Sequence, residues 1–489
     1  MTNDLSLDLP ALERARLSRD ARFDGKFFIA VKTTGIYCRP ICPSPTSKSR
    51  NVRYYATAAA AAEAGFRPCL RCRPEAAPGT PAWLGTSAVV RRALRLIDEG
   101  ILDSASVDDL ASKLGLGSRH LRRLFLQHVG ASPLSFAQTR RLQFAKRLLD
   151  ETSLPITEIA LAAGFGSLRR FNTAFRETYK RPPRELRKHA EVSADGEVIL
   201  KLAFRPPYDW NQLRDFLAAH AIPGVEQVDE RGYSRTLRTE SGFAIVCVRP
   251  LAAEDALELR VQGAVSCALF QIASAARRVF DTSADPALTT FALRSDPLLG
   301  PYVAQRPGLR IPGEWDGFEC TVWAVLAGKG SVANARTLAG RLVERAGQQI
   351  KHSGRGLTNL FPTAGALAKA DLEGLGISPT RIATLRAVAR AVMQGKLNFS
   401  ASTDCILGVL SQLPGVGRST AEYVALRALG EPDAFPANDS DLRRLTGSDG
   451  RSLSVSELEA RAEAWRPWRG YAAFHLWSAT MDRVANGNH

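Results

Sequence analysis

Four cysteines in two close pairs stand near the start of the chain, where their spacing suits metal chemistry. Three residues separate Cys38 from Cys42, and two separate Cys69 from Cys72. Each short spacing lets two sulfurs converge on one metal at about 2.3 Å, so four thiolates match a tetrahedral zinc ion. Two disulfides or unliganded buried thiols are the alternatives. The first ten residues lack an export signal, and a cytosolic chain keeps its thiols reduced, which favours zinc.

A helix-turn-helix pattern occurs twice between residues 107 and 176. Residues 107–116 carry apolar side chains at helical spacing and a glycine turn, and a second helix follows with Ser118 as its expected N-cap. The pattern returns at 156–176. The helix after each turn carries basic or amide side chains opposite its apolar stripe, as a major-groove reader needs, although a solvated helix face is the alternative for any single arginine. The expected DNA-facing residues are Arg119, His120, Arg122, Arg169, Arg170 and Asn172.

A glycine hairpin at 413–421 is the third pattern with chemical meaning. Gly415 and Gly417 free the backbone to turn tightly, and the following helix start adds outward amide groups and the positive end of a dipole. Such a loop suits a DNA phosphate, and Thr420, three residues after Gly417, is expected to contribute to DNA binding. A tight loop without a ligand is the alternative, because a Gly-x-Gly motif before a helix is common.

The composition indicates a soluble, basic, multidomain protein. The chain has 489 residues, 65 Lys and Arg against 49 Asp and Glu, and a formal net charge of +16. A chain of this length divides into several domains, and its charge favours polyanions, with nucleic acid as the first candidate. No apolar stretch reaches the ~18 residues of a spanning helix, so we expect no membrane partner and a cytoplasmic, nucleoid-associated protein.

The predicted type of secondary structure, which must position these residues, changes along the chain. A Pro/Gly-rich stretch at 77–86 predicts a linker after the cysteine region, and residues 87–191 read as helical throughout. Strand-like runs such as 199–204 and 242–248 predict a mixed α/β domain over 197–285. Helix dominates again over 286–489. The predicted fold class is therefore multidomain and mainly α, with α+β parts.

The sequence around the cysteines resembles that of a known family. Residues 33–40 (TTGIYCRP) and 65–72 (GFRPCLRC) resemble the N-terminal zinc domain of the Ada adaptive-response family over about 20–75. The resemblance implies a four-cysteine zinc domain over 1–76 in which Cys38 accepts a methyl group from a DNA phosphotriester. Zinc would keep the sulfur a nucleophilic thiolate, and methylation would remove a negative charge and strengthen DNA binding. A zinc staple that only folds the domain is the alternative.

The double helix-turn-helix closely resembles the AraC-type DNA-binding domain, which follows the zinc domain in Ada. The similarity includes the segment 175–187 (FRETYKRPPRELR) and implies such a domain over 87–191. No Pro-Cys-His-Arg motif of the Ada methyltransferase domain follows. The remaining cysteines are isolated and are expected to be small buried hydrophobes. They are Cys247, Cys267, Cys320 and Cys405.

The second half resembles the AlkA 3-methyladenine DNA glycosylases of the helix-hairpin-helix superfamily. The similarity rests on 204–210 (FRPPYDW), 306–313 (RPGLRIPG) and 465–471 (WRPWRGY), together with the hairpin and Asp439, 22 positions after Gly417. It implies an AlkA-like N-terminal α/β domain over 197–285 and a glycosylase domain over 286–489.

The resemblance assigns catalysis to the aspartate that matches Asp439. Alkylation at N3 or N7 makes a purine a good leaving group, so a carboxylate need only stabilise the sugar cation and activate water. A plain N-cap is the alternative for Asp439, and Asp441 competes for either role. Tyr423 and Trp477 match the aromatic residues that stack on the extruded base, although core packing remains open for Trp477.

Two positions depart from the AlkA pattern. Ser419 stands where AlkA carries a tryptophan and related bifunctional glycosylases carry a catalytic lysine, so lyase chemistry is not expected and the pocket should be roomier. Lys329 stands where a leucine wedge would fill the gap left by the extruded base.

The sequence therefore predicts a bifunctional alkylation-response protein. One zinc ion at the four cysteines would support methyl acceptance and transcription control, and a monofunctional glycosylase would hydrolyse the N-glycosidic bond of purines such as 3-methyladenine. The expected partners are duplex DNA with alkylated bases or methylphosphotriesters, promoter DNA, and RNA polymerase. The alternatives are a regulator whose glycosylase-like half only binds DNA, and a repair enzyme whose zinc and helix-turn-helix parts only locate damage.

Overall fold

The computed structural model divides into two compact units. The first unit comprises 1–205, 239–244 and 251–274, and the second comprises 206–238, 245–250 and 275–489. The predicted domain boundaries stay predictions, and the predicted linker from residue 79 onward lies outside the described residues. The structure describes residues 9–78, 88–187, 197–263, 268–328, 330–351, 356–447 and 451–485.

The cysteine region of the first unit is a small sheet with two helices. Its strands lie in the order β3-β1-β2-β4, with β1 antiparallel to β2 and β3, and β2 parallel to β4. The predicted alanine-rich helix begins after Thr57, whose hydroxyl accepts the Ala60 amide. The elements are α1 (Leu9–Ser18), β1 (Phe28–Val31), β2 (Ile36–Cys38), β3 (Val52–Tyr55), α2 (Ala58–Glu63) and β4 (Arg67–Pro68), with 3-10 turns at Ala21–Phe23, Ser49–Asn51 and Pro74–Ala76.

The described part of the first unit continues with helices that include two helix-turn-helix pairs, α5–α6 and α8–α9. Leu121 and Phe125 of the first pair and Phe171 and Phe175 of the second are fully buried, which places the opposite faces of α6 and α9 outward. The helices are α3 (Ala88–Asp98), α4 (Ile101–Ser104), α5 (Val107–Lys113), α6 (Ser118–His128), α7 (Pro133–Glu151), α8 (Ile156–Ala162), α9 (Leu168–Tyr179) and α10 (Pro183–Leu186).

One detail of the helix-turn-helix prediction is wrong. Ser118 is the first residue of α6, and Gly117 occupies the N-cap without a side-chain hydrogen bond. In the second pair, α9 has a side-chain cap, because the Ser167 hydroxyl accepts the Arg170 amide at 3.2 Å, whereas α8 begins after Pro155 without one.

Strands and two helices make up the next segment. In the first unit β5 pairs antiparallel with β9, with Leu200 opposite Leu259, and in the second unit β6 pairs antiparallel with β7. The alternating burial of β5 matches the alternating sequence, since one face of the pleat is apolar. The elements are β5 (Val198–Ala203), α11 (Trp210–His220), β6 (Glu226–Asp229), β7 (Gly232–Thr239), β8 (Gly242–Pro250), β9 (Ala256–Gly263) and α12 (Leu269–Val279).

The remainder of the second unit is helical apart from two short strands in its described residues. Helix α15 lies at its centre, with the side chains from Phe318 to Leu326 almost all buried, and α18 and α20 contact it. The elements are α13 (Pro286–Leu293), α14 (Gly300–Gln305), α15 (Gly317–Ala327), α16 (Val332–Ala346), β10 (Gln348–Gln349), β11 (Asn359–Leu360), α17 (Ala364–Lys369), α18 (Pro379–Met393), α19 (Thr403–Gln412), α20 (Arg418–Arg427), α21 (Ser440–Leu445), α22 (Val455–Ala462) and α23 (Arg469–Ala485), with a 3-10 turn at Glu463–Trp465.

The predicted fold class, mainly α with small sheets, is confirmed. Among the described residues, no helix combines the length and apolarity needed to cross a membrane.

Candidate functional sites

The four N-terminal cysteines converge although they arise from two distant segments. Their sulfurs lie within 4.8 Å of one another. Cys38 ends β2, and the backbone amide of Cys69 donates to the Tyr37 carbonyl at 3.0 Å, so the β2–β4 pairing brings the two cysteine pairs together. Cys69 and Cys72 are buried, whereas Cys38 and Cys42 are partly exposed.

This donor set fits zinc. Four thiolates at 2.3 Å from one tetrahedral metal lie about 3.8 Å apart, and the observed sulfurs are close enough to reach that arrangement by small rotations. Zinc bound by Cys38, Cys42, Cys69 and Cys72 would staple the two segments and hold the sulfurs as thiolates. The described residues contain no other group of His, Cys, Asp and Glu that meets the same test.

The basic residues around the cluster divide into two groups. The first group is exposed and comprises Lys48, Arg50, Arg53 and Arg71. Arg39 instead donates to the Asp24 carboxylate and to the Cys72 carbonyl, while its backbone amide donates to Cys72 Sγ at 3.3 Å. Arg39 therefore stabilises the loop that carries Cys72 and is engaged within the protein.

Arg73 directs its charge away from the cluster, into a buried ionic group with α7. Its Nη2 lies 2.7 Å from Asp150, and Lys146 Nζ lies 2.6 Å from the same carboxylate. Glu75 is 3.8 Å from Lys146, and burial raises the pKa of Glu75. These ion pairs join the cysteine region to the helix-turn-helix region inside one unit, and the side chains of Lys146, Asp150 and Glu75 are almost fully buried.

The predicted DNA-facing residues of the helix-turn-helix pairs lie on the outer faces of α6 and α9. Arg119, Arg122, Arg169 and Arg170 are exposed, and Asn172 is partly buried. His120 is also exposed, with its Nδ1 3.4 Å from Arg123 Nη2. The structure therefore leaves four arginines available to DNA, and their roles stay predictions.

In the second unit, the predicted glycine hairpin joins α19 to α20. Gly415 has φ +80°, and a Cβ built there would lie 2.0 Å from the Thr384 hydroxyl, so only glycine fits. Gly417 is exposed and forms the N-cap of α20, and Thr420 lies partly exposed in the first turn of that helix. The amide groups in the first turn of α20 are the donors that the expected phosphate contact would use, and that contact stays a prediction.

Asp439 is the N-cap of α21 and also a candidate for chemistry. Its Oδ1 accepts the amides of Asp441 at 3.0 Å and Leu442 at 2.9 Å, and the Trp477 indole at 3.3 Å. Within the described residues nothing in the protein donates to its Oδ2. Burial raises the pKa of the Asp439 carboxyl, and these hydrogen bonds oppose that rise. Asp441 is half-exposed and pairs with the exposed Arg444 at 3.1 Å.

A group of aromatic rings lies next to Asp439 within the second unit. Trp477 is partly exposed, and its ring meets the buried Phe474 edge-on at 5.1 Å. Phe474 in turn lies 5.3 Å from Phe216 of α11. Tyr423 is also partly exposed and is joined to this group through Arg427. The exposed part of Trp477 separates it from an ordinary core residue.

Arg427 links Tyr423 to Phe216, and the sequence reading missed it. The fully buried guanidinium lies 5.4 Å from the Tyr423 ring and 4.7 Å from the Phe216 ring. It donates to the Tyr423 hydroxyl and to the Glu314 carboxylate. Burial raises the pKa of Glu314. The position of Arg427 four residues after Tyr423, one helical turn away, was the available signal.

The other predicted residues have mixed outcomes. Ser419 is partly exposed in the first turn of α20, and Lys329 lies outside the described residues, as does Cys267. Cys320 is buried as expected, but Cys405 is exposed and Cys247 is partly exposed. The prediction that the isolated cysteines are buried is therefore wrong for Cys405, because it lies in the first turn of α19 on its outer side.

Three family models match consecutive parts of the chain. They are the metal binding domain of Ada over residues 11–75, a helix-turn-helix domain over 110–189, and the AlkA N-terminal domain over 199–316. With the converging thiols, the first match confirms the prediction of a zinc ion.

Two relatives match the second half. DNA-3-methyladenine glycosylase 2 of Escherichia coli K12 is 33% identical over 282 residues, which cover 56% of this chain and 95% of the relative. The solved structure of 3-methyladenine DNA glycosylase from Archaeoglobus fulgidus matches with a TM-score of 0.50 at 21% identity, over 56% of this chain and 96% of its own. The structural match supports the fold alone.

A third relative matches almost the whole chain. The "Probable bifunctional transcriptional activator/DNA repair enzyme AlkA" of Mycobacterium tuberculosis (strain CDC 1551 / Oshkosh) is 41% identical over 487 residues, or 98% of each chain. The order of zinc, helix-turn-helix and glycosylase regions expected from the sequence is therefore confirmed. The chain belongs to the family of bifunctional transcriptional activators and DNA repair enzymes of the AlkA type.

Proposed function

We propose that the protein repairs and reports alkylation damage, with a base-releasing site in the second unit and a methyl-accepting site in the first. The glycosylase would hydrolyse the N-glycosidic bond of alkylated purines such as 3-methyladenine. The observation that carries this proposal is the asymmetry of Asp439, whose two oxygens have different surroundings.

The two carboxylate oxygens of Asp439 can act separately. Oδ1 accepts three hydrogen bonds, which lock the side chain in one orientation. No donor among the described residues engages Oδ2, so its lone pairs can serve a group outside the protein. The N-cap role and the catalytic role, which the sequence left as alternatives, are thus compatible in one side chain.

The chemistry asked of this carboxylate is modest. As the bond from C1′ to the base nitrogen breaks, the base leaves with the electron pair and positive charge develops on the sugar. The anionic Oδ2 stabilises that charge and takes the proton of the water that adds to C1′. Partial burial strengthens the electrostatic effect because less water screens it.

Tyr423 and Trp477 are the proposed base contacts. Both rings are partly exposed and belong to the group that includes Asp439 and Arg427. A base carrying a positive charge stacks favourably on such rings. Ser419, four residues before Tyr423 on α20, carries no amine, which supports hydrolysis without a Schiff base and hence a glycosylase without lyase activity.

The test is release of free 3-methyladenine and 7-methylguanine from methylated duplex DNA. Asp439→Asn keeps the acceptor for the two amides and the indole but removes the charge, so we expect release to fall by about 100-fold or more. The matched control is Asp441→Asn, which removes a neighbouring half-exposed carboxylate and should leave release within a few-fold of the unchanged protein.

The opposite result would point to the alternative. If the unchanged protein releases neither base, the second half binds DNA without catalysing excision. Equal loss in both aspartate variants would instead mean that the local fold of α21, and not the Asp439 charge, supports the activity.

The methyl-accepting site is proposed at Cys38. The sulfur would attack the methyl carbon of a phosphotriester, the C–O bond would break, and the phosphate would leave as an ordinary diester anion. Cys38 is partly exposed, whereas Cys72 is buried and accepts the Arg39 amide. Loss of one negative charge at the cluster would strengthen DNA binding by this basic region.

Transcription control would depend on α6 and α9, the second helices of the two helix-turn-helix pairs. Arg119, Arg122, Arg169, Arg170 and Asn172 would contact promoter DNA in successive major grooves. The exposure of the four arginines supports this role. RNA polymerase as a partner and association with the nucleoid stay predictions.

A further inference from the structure

His220, the last residue of α11, is a polar side chain among the aromatic residues of the second unit. Its ring stacks on Phe216 at 3.9 Å with an interplanar angle of 13°, and Trp323 lies 5.5 Å away. The side chain is partly exposed. Packing against two rings fixes the imidazole plane, so its nitrogens point in set directions.

The hydrogen bonding of His220 determines its tautomer. Nδ1 lies 2.8 Å from the Phe216 carbonyl oxygen, which can only accept, so Nδ1 carries the hydrogen and Nε2 carries a lone pair. Burial and the charge of Arg427 lower the pKa of His220 to about 3. Near neutral pH, His220 is therefore an uncharged acceptor, and no donor from the described residues reaches Nε2.

The position of His220 relates it to the base-releasing site. A continuous series of contacts runs from Asp439 through Trp477, Phe474 and Phe216 to His220. A purine with its glycosidic bond at Asp439 points its opposite edge, which carries the group on C6, away from that carboxylate. His220 also lies near the second proposed base contact, because Arg427, which donates to the Tyr423 hydroxyl, lies 4.7 Å from the same Phe216 ring.

We propose that His220 is a specificity-determining residue whose Nε2 accepts a hydrogen bond from the 6-amino group of an extruded adenine-derived lesion. A 6-oxo purine such as 7-methylguanine would set an oxygen lone pair against the Nε2 lone pair. Two acceptors that face each other without water leave both unsatisfied. The inference rests on the proposed glycosylase function and adds a preference for 6-amino over 6-oxo lesions.

The test compares kcat/KM for release of 3-methyladenine and of 7-methylguanine from the same methylated DNA. His220→Phe keeps a ring on Phe216 but removes the acceptor, so the ratio of the two values should fall by about tenfold in the direction of 7-methylguanine. The control is His475→Phe, which replaces another buried imidazole whose charged neighbours are Arg306 and Asp209. That variant should keep the ratio of the unchanged protein.

The outcomes separate this inference from the proposed function. No release by the unchanged protein overturns the proposed function, whereas normal release with an unchanged ratio in His220→Phe overturns the role of His220. If thermal melting shows that His220→Phe does not fold, His220→Leu and His220→Gln make the same comparison, since only the glutamine keeps an acceptor. An equal ratio in those two variants would also overturn the inference.

Discussion

Asp439 combines a structural and a chemical capacity because a carboxylate has two oxygens. The oxygen that caps α21 and meets Trp477 holds the side chain still, and the described residues leave the other oxygen unengaged. Arg427 is a second case, since one guanidinium reaches Tyr423, Glu314 and two backbone carbonyls. At this scale, multiple hydrogen-bonding atoms on one side chain couple the fold to the site.

A buried carboxyl elsewhere in the second unit predicts a pH effect on stability. Burial raises the pKa of Asp281 from 3.8 to about 6, although the Tyr471 hydroxyl donates to it at 2.7 Å. Between about pH 4 and pH 6 the folded chain holds a proton that the unfolded chain has released, so this contribution to stability is lost as pH rises. The rise corresponds to at most about 3 kcal/mol.

Asp281→Asn should therefore reduce the fall in stability between pH 4 and pH 7. The measurement is the midpoint of urea unfolding at pH 4 and at pH 7, with tryptophan fluorescence as the signal. Asp371→Asn, at an exposed carboxylate 3.8 Å from Arg345, is the control and should leave the pH dependence as it is. A pH dependence that survives unchanged in Asp281→Asn contradicts the prediction.

At the scale of elements, short connections hold the cysteines, the hairpin glycines and Asp439, whereas helices α20 and α23 carry Tyr423 and Trp477. The turn between α19 and α20 holds the glycines, the start of α21 holds Asp439, and β2 and β4 deliver the cysteines. Each connection is held by a regular element behind it, as Gly415 is held against Thr384 of α18. The rigid elements set where the backbone amides and side chains of these connections point.

Gly415→Ala tests the hairpin directly. Its Cβ would lie 2.0 Å from the Thr384 hydroxyl at a positive φ, so we expect a loss of about 2 kcal/mol in stability and weaker binding to duplex DNA. Gly417→Ala is the matched control, because its φ of −85° suits alanine and no atom lies within 4 Å of the added Cβ.

Thermal melting and fluorescence anisotropy with labelled duplex DNA measure both effects. Gly417→Ala should change stability by less than about 0.5 kcal/mol. Comparable destabilisation in the two variants would mean that the hairpin responds to any loss of glycine, independent of the Thr384 contact.

At the scale of the molecule, the proposed chemistries reside in different units. The cysteine cluster and the helix-turn-helix pairs share the first unit, where Arg73, Lys146 and Asp150 join them, and the Asp439 site lies in the second unit. With a net charge of +16, the whole chain favours DNA as a common partner.

Two single variants should separate the activities. Cys38→Ser should abolish methyl uptake from DNA phosphotriesters and keep base release, because Asp439 is untouched. Asp439→Asn should do the reverse. Mass spectrometry of the cysteine peptides and assay of free methylated bases measure the two. Methyl uptake at Cys42 instead of Cys38, located by fragmentation of the peptide, would contradict the assigned acceptor.

The sequence by itself determined the features that depend on local spacing. These features are the two cysteine pairs, the two helix-turn-helix patterns and the glycine hairpin. Each pattern spans a short stretch of sequence, where residue type and periodicity constrain the backbone. Similarity to known families then indicated Asp439, Tyr423 and Trp477. Ser118 as a cap and a buried Cys405 were wrong, because helix starts and helix faces depend on neighbours that local spacing does not record.

Only the tertiary structure decided how distant residues meet. The tertiary structure pairs Arg39 with Asp24 and Arg73 with Asp150, and it brings the Trp477 indole to Asp439. It also brings Arg427 to Phe216 and His220 to Trp323, and each of these contacts joins residues that lie apart in sequence. No local pattern encodes such contacts, because burial, tautomer and pKa follow from whichever side chains the packed core brings together.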